Sequence, residues 1–302
     1  KPLLDFYNKN PDFVIPDSKF NEIKVFVQAG LQDFSISRLK SKMPWGIEVP
    51  GDPEQIMFVW FDALVNYISA IGWPDNLEKF NAWWPVVQFA GKDNLRQQSA
   101  IWQAMLMSAG LPNSKQIFIH GFITVNGQKI SKSLGNVINP IKLVEEYGTD
   151  AVRYFLLAKI HPFEDNDFTI EKLEETYNAD FANGLGNLIA RVAKLAEKVN
   201  YELESISYLP YPEISKFLED FRVDLALEYI WKKIKAIDQE IDSAQPWKLN
   251  DDDLTKFLHG VVDQIQYIAY NLKPFLPQTA AKIQKQFTAK IKSAAPLFPR
   301  IS

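Results

Sequence analysis

Residues 86–98 read VVQFAGKDNLRQQ. The apolar stretch that ends at Ala90 is strand-like, and Gly91 interrupts it. From Asp93 the sequence DNLRQQSAIWQAMLMSAG has helical spacing, with a cap near Asp93 and a stop at Gly110. A strand passing through a glycine turn into a helix is the unit from which parallel sheets are built. Gly91 permits close approach of the backbone, and the helix start beyond it offers free N–H groups at the positive end of a dipole. Asp93 has two readings, as the helix N-cap or as an acceptor for both hydroxyls of a ribose, and the residue by itself leaves both open.

The alternation extends on both sides. Residues 1–50 read as two short helices and a loop. PDSKFNEIKVFVQAG offers Asp17 or Ser18 as N-cap, Ile23, Phe26 and Val27 at helical spacing, and Gly30 as stop. The loop LQDFSISR delivers Arg38 towards the turn-rich MPWGIEVPGDPEQ. QIMFVWF is then a strand candidate, and DALVNYISAIG a helix from Asp62 to Gly72. Downstream, QIFIH is another strand, followed by FITV and the turn Asn126-Gly127. Strands alternating with helices predict an α/β fold with a parallel, Rossmann-type nucleotide-binding sheet.

Beyond residue 138 no further strand is expected. In NPIKLVEEYG, Asn139 is the cap, Pro140 the first helical residue and Gly148 the stop. TDAVRYFLLAKI is a second helix, and a long one runs from about Thr169 to Val199. Its apolar residues Phe181, Leu185, Leu188, Ile189, Val192, Leu195 and Val199 recur every three or four positions. Periodic segments at 213–243, 253–273 and 277–288 complete an all-α bundle.

Composition bounds the function. A chain of 302 residues that is 47% hydrophobic and 13% aromatic is globular, with length for two domains and a smaller element. A net charge of −4 argues against an indiscriminate nucleic-acid coat but leaves room for RNA recognition by a local surface. The absence of cysteine excludes disulfides and thiolate metal sites in this chain. No apolar run approaches the ~20 residues of a membrane span. With Lys1 in place of a methionine and no signal peptide, a cytosolic fragment is expected.

The second motif is VNGQKISKSLGN, residues 125–136. Asn126-Gly127 turns the strand back on itself, and Lys129 and Lys132 then sit among serines up to Gly135. Such a loop, thinly anchored by apolar residues, can close over a ligand. Two ammonium groups beside hydroxyl donors suit the charge that builds on a departing pyrophosphate. Two nearby lysines alone would be read as a solvated basic turn. The full K-x-S-K-S pattern is more demanding, with about one chance match in a few hundred chains of this length. Together with the glycine turn and the alternating sheet it favours nucleotide binding.

KISKS resembles the KMSKS signature of class I aminoacyl-tRNA synthetases. The flanks VWFDALVNYISA, GKDNLRQQSAIWQAML and HGFITVNGQKISKSLGN resemble the methionyl-tRNA synthetase family in particular, and the similarity runs along essentially the whole chain. The resemblance implies ATP-dependent activation of methionine to methionyl-adenylate, with Mg2+ accompanying ATP, and transfer to tRNA-Met. It implies Lys132 as the main lysine of the activation step, Lys129 assisting with Ser131 and Ser133 beside them, and Arg38 in support. Gly91 and Asp93 would meet the adenosine ribose, and His120 and the backbone of Ile123 the adenine. No metal site is visible in this chain, a cytoplasmic location with no membrane span is expected, and the oligomeric state is left open. The resemblance divides the chain into the end of a connective insertion and linker (1–45), the second half of the catalytic domain (46–122), the lysine-loop and stem-contact region (123–175) and an anticodon-binding helical domain (176–302).

A thioether is polarizable and favours ring contacts, so a methionine pocket needs aromatic walls. Trp60, Ala63, Tyr67 and Trp102 match the family's pocket positions, although buried tryptophans are ordinarily core. Asn94 and Gln98 depart from the best-known branch, which has an aliphatic residue and a histidine there. On the long helix Asn187 and Arg191 project from one face, with Lys194 and Lys198 further along, a stripe that is ordinarily a solvated helix face. By resemblance Asn187 and Arg191 read the anticodon and Trp247 stacks on it.

Class I synthetases also carry an upstream H-x-G-H motif, and His120, His161 and His259 form none. The expectation is therefore the C-terminal portion of a larger enzyme, activating methionine poorly by itself. Two rival readings are a noncatalytic RNA-binding module and a class I synthetase for leucine, valine, isoleucine or cysteine. The cysteine enzyme typically uses a cysteine-bound zinc that this chain does not supply, and the aromatic walls favour methionine.

Overall fold

The computed structural model describes residues 1–203 and 209–301, with the backbone alone at Lys132. The chain forms two compact units, Lys1–Phe122 and Ile123–Ser302.

The first unit opens with α1 (Pro2–Lys9), β1 (Val14–Ile15) and α2 (Asp17–Gln28). The N-cap of α2 is Pro16, not Asp17 or Ser18, and neither side chain closes the helix end. Gly30, at φ +97°, follows the helix as expected. Next come β2 (Ser37–Leu39), β3 (Glu48–Val49) and β4 (Asp52–Met57), an antiparallel sheet in the order β2-β4-β3. Arg38 is thus on a strand rather than a loop, and part of the turn-rich segment is a hairpin.

The strand expected over QIMFVWF stops at Met57. Trp60 lies in α3 (Val59–Ala63), which starts three residues before Asp62, and α4 (Asn66–Ser69) is a separate turn of helix. The short α5 (Leu77–Trp83) was not anticipated; Asn76 caps it by accepting the Lys79 N–H. β5 (Val87–Gly91) leads through a tight turn, Lys92–Asn94, and wider π turns, Gln97–Ile101, into α6 (Trp102–Ser108), and β6 (Gln116–His120) follows.

β1, β6 and β5 form a parallel sheet in that order. Each parallel pair needs a crossover, and the helical run from Lys92 to Ser108 supplies the one between β5 and β6. α1 and α2 bury Tyr7, Phe20 and Ile23 with Val14, Ile117 and Ile119 of the sheet. That packing leaves the carboxyl ends of β5 and β6 side by side.

The second unit begins with β7 (Ile123–Val125) and β8 (Gln128–Lys129), joined by Asn126 and Gly127 at φ +52° and +71°. Positive φ at both positions is what a two-residue hairpin turn of type I′ requires. α7 (Pro140–Tyr147) has Asn139 accepting the Ile141 N–H at 2.9 Å, and Gly148 at φ +85° ends it, as the sequence predicted. α8 (Thr149–Tyr154) continues into π turns, Phe155–Lys159.

Strands do not cease at residue 138. β9 (Asn166–Phe168) pairs in parallel with β7, a partner more than 40 residues away that local pattern cannot reveal. The long helix spans α9 (Ile170–Thr176), π turns over Tyr177–Leu185 and α10 (Gly186–Lys198), with Thr169 as N-cap. The two-residue β10 (Glu202–Leu203) follows. The segment expected as one helix over 213–243 is two, α11 (Pro212–Glu219) and α12 (Val223–Ala244), separated at Phe221, whose φ is +58°. α13 (Asp251–Leu272), α14 (Pro277–Gln286) and β11 (Ala289–Lys290), antiparallel to β10, complete the unit.

The bundle core interleaves Leu188 and Val192 of α10, Ile230, Ile234 and Ile237 of α12, and Leu258, Val262 and Ile265 of α13. Each such side chain contributes about 1.5–3 kcal/mol on burial. No helix among the described residues is long and apolar enough to cross a membrane.

Candidate functional site

In the first unit, Gly91 and His120 are register partners at the carboxyl ends of two adjacent parallel strands. A Cβ added to Gly91 would stand 3.0 Å from Asp93 Oδ1, 3.6 Å from His120 Cε1 and 3.8 Å from His120 Nε2. Three residues expected around adenosine therefore converge at the strand edge where open α/β sheets bind ligands. Gly91, not Asp93, is the N-cap of the turn that follows, and its φ of −69° is an ordinary one. The value of glycine here is close approach, because a side chain would occupy the space between Asp93 and His120. Asp93, released from capping, is exposed. His120 Nδ1 lies 2.7 Å from the Gly121 carbonyl, which only accepts, so Nδ1 carries a hydrogen.

Tyr67, Gln98 and Trp102 also come together. Gln98 Nε2 donates to the Tyr67 hydroxyl at 2.9 Å, and the Tyr67 and Trp102 ring centroids are 6.1 Å apart at 46°. Trp60 is half-buried in the same apolar cluster, and Ala63, one helical turn on in α3, is exposed. Asn94 ends the tight turn after Gly91. Trp102 is 1% exposed, and its indole N–H is buried without a hydrogen-bond partner. Core packing and a place beside Tyr67 thus coexist at this residue. A neighbouring groove of ≈450 Å³, lined by Phe34, Trp73, Ile101, Trp102 and Met105, does not include Trp60, Ala63 or Tyr67.

Arg38 belongs to the other sheet of this unit. Its guanidinium donates to the carbonyls of Ser35 (2.9 Å) and Ser37 (2.7 Å) and lies over the Phe58 ring at 4.4 Å.

In the second unit, Ile123 opens β7 and Lys129 pairs with Thr124 across the hairpin. The lysine loop is fastened by a residue sequence reading passed over. Asn136 Nδ2 donates to the Lys129 carbonyl at 3.0 Å, and its Oδ1 accepts the Ser131 N–H at 2.8 Å. The Ser131 and Ser133 hydroxyls are 2.7 Å apart. Lys132 begins a short tight turn, Lys132–Leu134, and its side chain lies outside the described residues. The hairpin turn is tied to β9 by Asp167, whose Oδ1 accepts the Gly127 N–H at 2.6 Å and the Thr124 hydroxyl at 2.8 Å. The Gly127 N–H, then the Thr124 hydroxyl, hold this carboxyl below the usual carboxylate range, and Lys172 adds to them.

On α10, Asn187 is exposed, while Arg191 donates to Asp238 (2.9 Å) and Asp242 (2.6 Å) of α12. Burial pushes the Asp238 carboxyl up; Arg191 opposes this and the like charge of Asp242 reinforces it. Trp247, 50% exposed, lies five residues beyond Asp242, in a tight turn opened by Gln245 at φ +46°.

Comparison with known proteins fits this geometry. The family described as tRNA synthetases class I (M) matches residues 1–193. A methionine–tRNA ligase of Thermotoga maritima is 38% identical over 309 residues, covering 96% of this chain and 49% of that protein. One from Rickettsia bellii is 39% identical, covering 94% and 60%. The solved structure of Mycobacterium tuberculosis methionyl-tRNA synthetase in complex with methionyl-adenylate has a TM-score of 0.85 at 32% identity, covering 99% of this chain and 66% of that one. The Rossmann-like sheet and helical content are those of the class I synthetase fold. The chain belongs to the class I tRNA synthetase family of the methionine type. It spans about half the length of several of the curated relatives it matches.

Proposed function

We propose that the protein to which this chain belongs is a methionine–tRNA ligase. It activates methionine with ATP, releasing pyrophosphate and forming methionyl-adenylate, and then transfers the methionyl group to the terminal ribose of tRNA-Met, releasing AMP. The observation that carries this reading is similarity to methionine–tRNA ligases at 37–39% identity along 94–98% of the chain.

Each site residue then has a role suited to its surroundings. Gly91 leaves room for adenosine, Asp93 accepts from its ribose hydroxyls, and His120 with the Ile123 backbone borders the adenine. Lys132 and Lys129, with Ser131 and Ser133, offset the charge developing on pyrophosphate, and Arg38 supports activation. Mg2+ enters as MgATP, a substrate rather than a resident metal. Trp60, Ala63, Tyr67 and Trp102, with Asn94 and Gln98, surround the methionine side chain. In the second unit, Asn187, Arg191 and Trp247 contact the CAU anticodon. The catalytic half-domain falls in 46–122 after a linker region in 1–45, the stem-contact region in 123–175 and the anticodon domain in 176–302.

The test is methionine-dependent ATP–pyrophosphate exchange by the natural full-length protein, with leucine, valine, isoleucine and cysteine as competitors. Exchange with methionine, reduced about 10²- to 10³-fold by Lys132→Ala, is expected. Exchange with another amino acid in preference, or none, overturns the reading.

A further inference from the structure

Behind Tyr67 runs a line of buried amides with no ionisable group in it. Gln88, Gln98, Gln103 and Ser114 are each at most 4% exposed. Gln98 donates to the Tyr67 hydroxyl (2.9 Å) and accepts from Gln88 Nε2 (3.2 Å). Gln88 Oε1 accepts from the Ser114 hydroxyl, which in turn accepts from Gln103 Nε2 at 3.1 Å.

The direction of the first bonds in this line is set by backbone groups, which cannot reverse, and that of the others by giving each hydrogen an acceptor. The Ser114 N–H donates to Gln103 Oε1 at 3.1 Å, so that atom is oxygen and the other terminus of Gln103 is the amine. The amine also donates to the Gln98 carbonyl at 2.9 Å, which can only accept. Its second hydrogen goes to Ser114 Oγ, and the serine's single hydrogen, for which Gln88 Oε1 is the acceptor at hand, goes there. Gln88 then presents its amine to Gln98 Oε1, and Gln98 presents its amine to Tyr67. The tyrosine oxygen is an acceptor in this bond, and its own hydrogen must point to some other acceptor. Asn113 reinforces the origin of the line by donating to Gln103 Oε1 and to the Gln103 carbonyl at 3.0 and 3.1 Å.

We infer that the buried line Gln103–Ser114–Gln88–Gln98 fixes the Tyr67 hydroxyl as a hydrogen-bond donor to the amino-acid side chain held beside it. The inference rests on the proposed methionine site for its ligand but on the hydrogen bonds of the line for its polarity. Ser114 and Gln88 are positioning residues: neither belongs to the pocket, and both act through Gln98. Against an amino acid whose side chain has an acceptor, such as the weakly accepting thioether sulfur, a fixed donor favours binding. Against norleucine, in which a methylene replaces sulfur, the donor finds nothing. A hydroxyl free to turn its hydrogen back towards Gln98 would lose that discrimination.

The test compares the full-length protein with Ser114→Ala and Ser114→Thr in pyrophosphate exchange driven by methionine or by norleucine. Ser114→Ala frees the Gln88 amide to invert and Gln98 to follow. The expected result is a rise of about three- to ten-fold in the KM for methionine, with kcat and the KM for ATP unchanged, and with little change in the KM for norleucine. Ser114→Thr, which keeps the hydroxyl, restores the methionine value. Equal losses for both amino acids, or no loss for either, overturn the inference. Neutron diffraction from the unsubstituted protein decides the polarity even if the variant does not fold or no exchange is detected. A deuterium on Tyr67 directed away from Gln98 supports the inference, and one on the line between the two refutes it. Absence of exchange in the unsubstituted protein would count against the proposed function and leave the neutron result standing.

Discussion

The carboxylate of Asp167 accepts the backbone N–H of Gly127 at 2.6 Å, joining β9 to the hairpin turn that leads into the lysine loop. Gly127, at φ +71°, supplies the second positive-φ position of the turn, and Asp167 accepts its N–H there. Asp167→Ala should speed hydrogen exchange at the Gly127 amide by about ten-fold while leaving the bundle amides unchanged. Unaltered exchange at Gly127 would show that the turn holds itself.

The same carboxyl has a pH signature. Its folded pKa is held below that of the unfolded chain, so its stabilisation is complete above the ordinary aspartate value of about 3.9. It is lost as pH falls from there through the lower folded value. Protection of the Gly127 amide, followed by NMR, should decline in that window and stay flat from pH 5 to 7.

Asp238 has the opposite sign. Burial raises its folded pKa, so the folded chain binds this proton more tightly than the unfolded one. Its contribution to stability therefore falls as pH rises from the ordinary aspartate value through the raised one. Asp238→Asn should compare less favourably with the parent near pH 3.5 than near pH 7 in denaturant unfolding. A comparison that worsens as pH rises would contradict the assignment.

Gly91→Ala separates close approach from backbone strain. At φ −69° alanine is tolerated, and the nearest atom is the movable carboxylate end of Asp93 at 3.0 Å. Folding stability should change by less than about 1 kcal/mol, while the KM for ATP rises. A fall in Tm with KM unchanged would assign Gly91 to folding alone.

Trp247 presents half its surface and suits stacking on an unpaired base. Trp247→Ala should weaken tRNA-Met binding by about 1–3 kcal/mol, measured by filter binding or fluorescence at fixed salt. Undiminished affinity would remove it from the proposed anticodon surface.

What could be read beforehand follows the range of the interactions. The Asn126-Gly127 turn, the Asn139 cap and the strands β5 and β6 were legible because each is encoded within a few residues. β1 was missed because a two-residue strand makes no pattern, although Val14 is wholly buried. β9 was missed because its partner is remote. The break at Phe221 was hidden because apolar periodicity continues across it and phenylalanine is an unusual residue at positive φ. Gly91, Asp93 and His120 were gathered by resemblance, and their convergence depends on strand register. The amide line behind Tyr67 had one visible sign, a glutamine in the middle of the apolar stretch 86–90.

The π turns between α9 and α10 have a consequence for evolution and for engineering. Gly184 and Gly186 lie where an added Cβ would come within 3.2 Å of the Ala179 carbonyl oxygen and 2.8 Å of the Phe181 carbonyl oxygen, so the widened backbone is paired with residues that have no side chain. Such a segment takes up extra chain by widening the backbone while the flanking α-helical turns keep their phase. Excising a single residue there would narrow the turns and leave Arg191 facing Asp238 and Asp242 of α12.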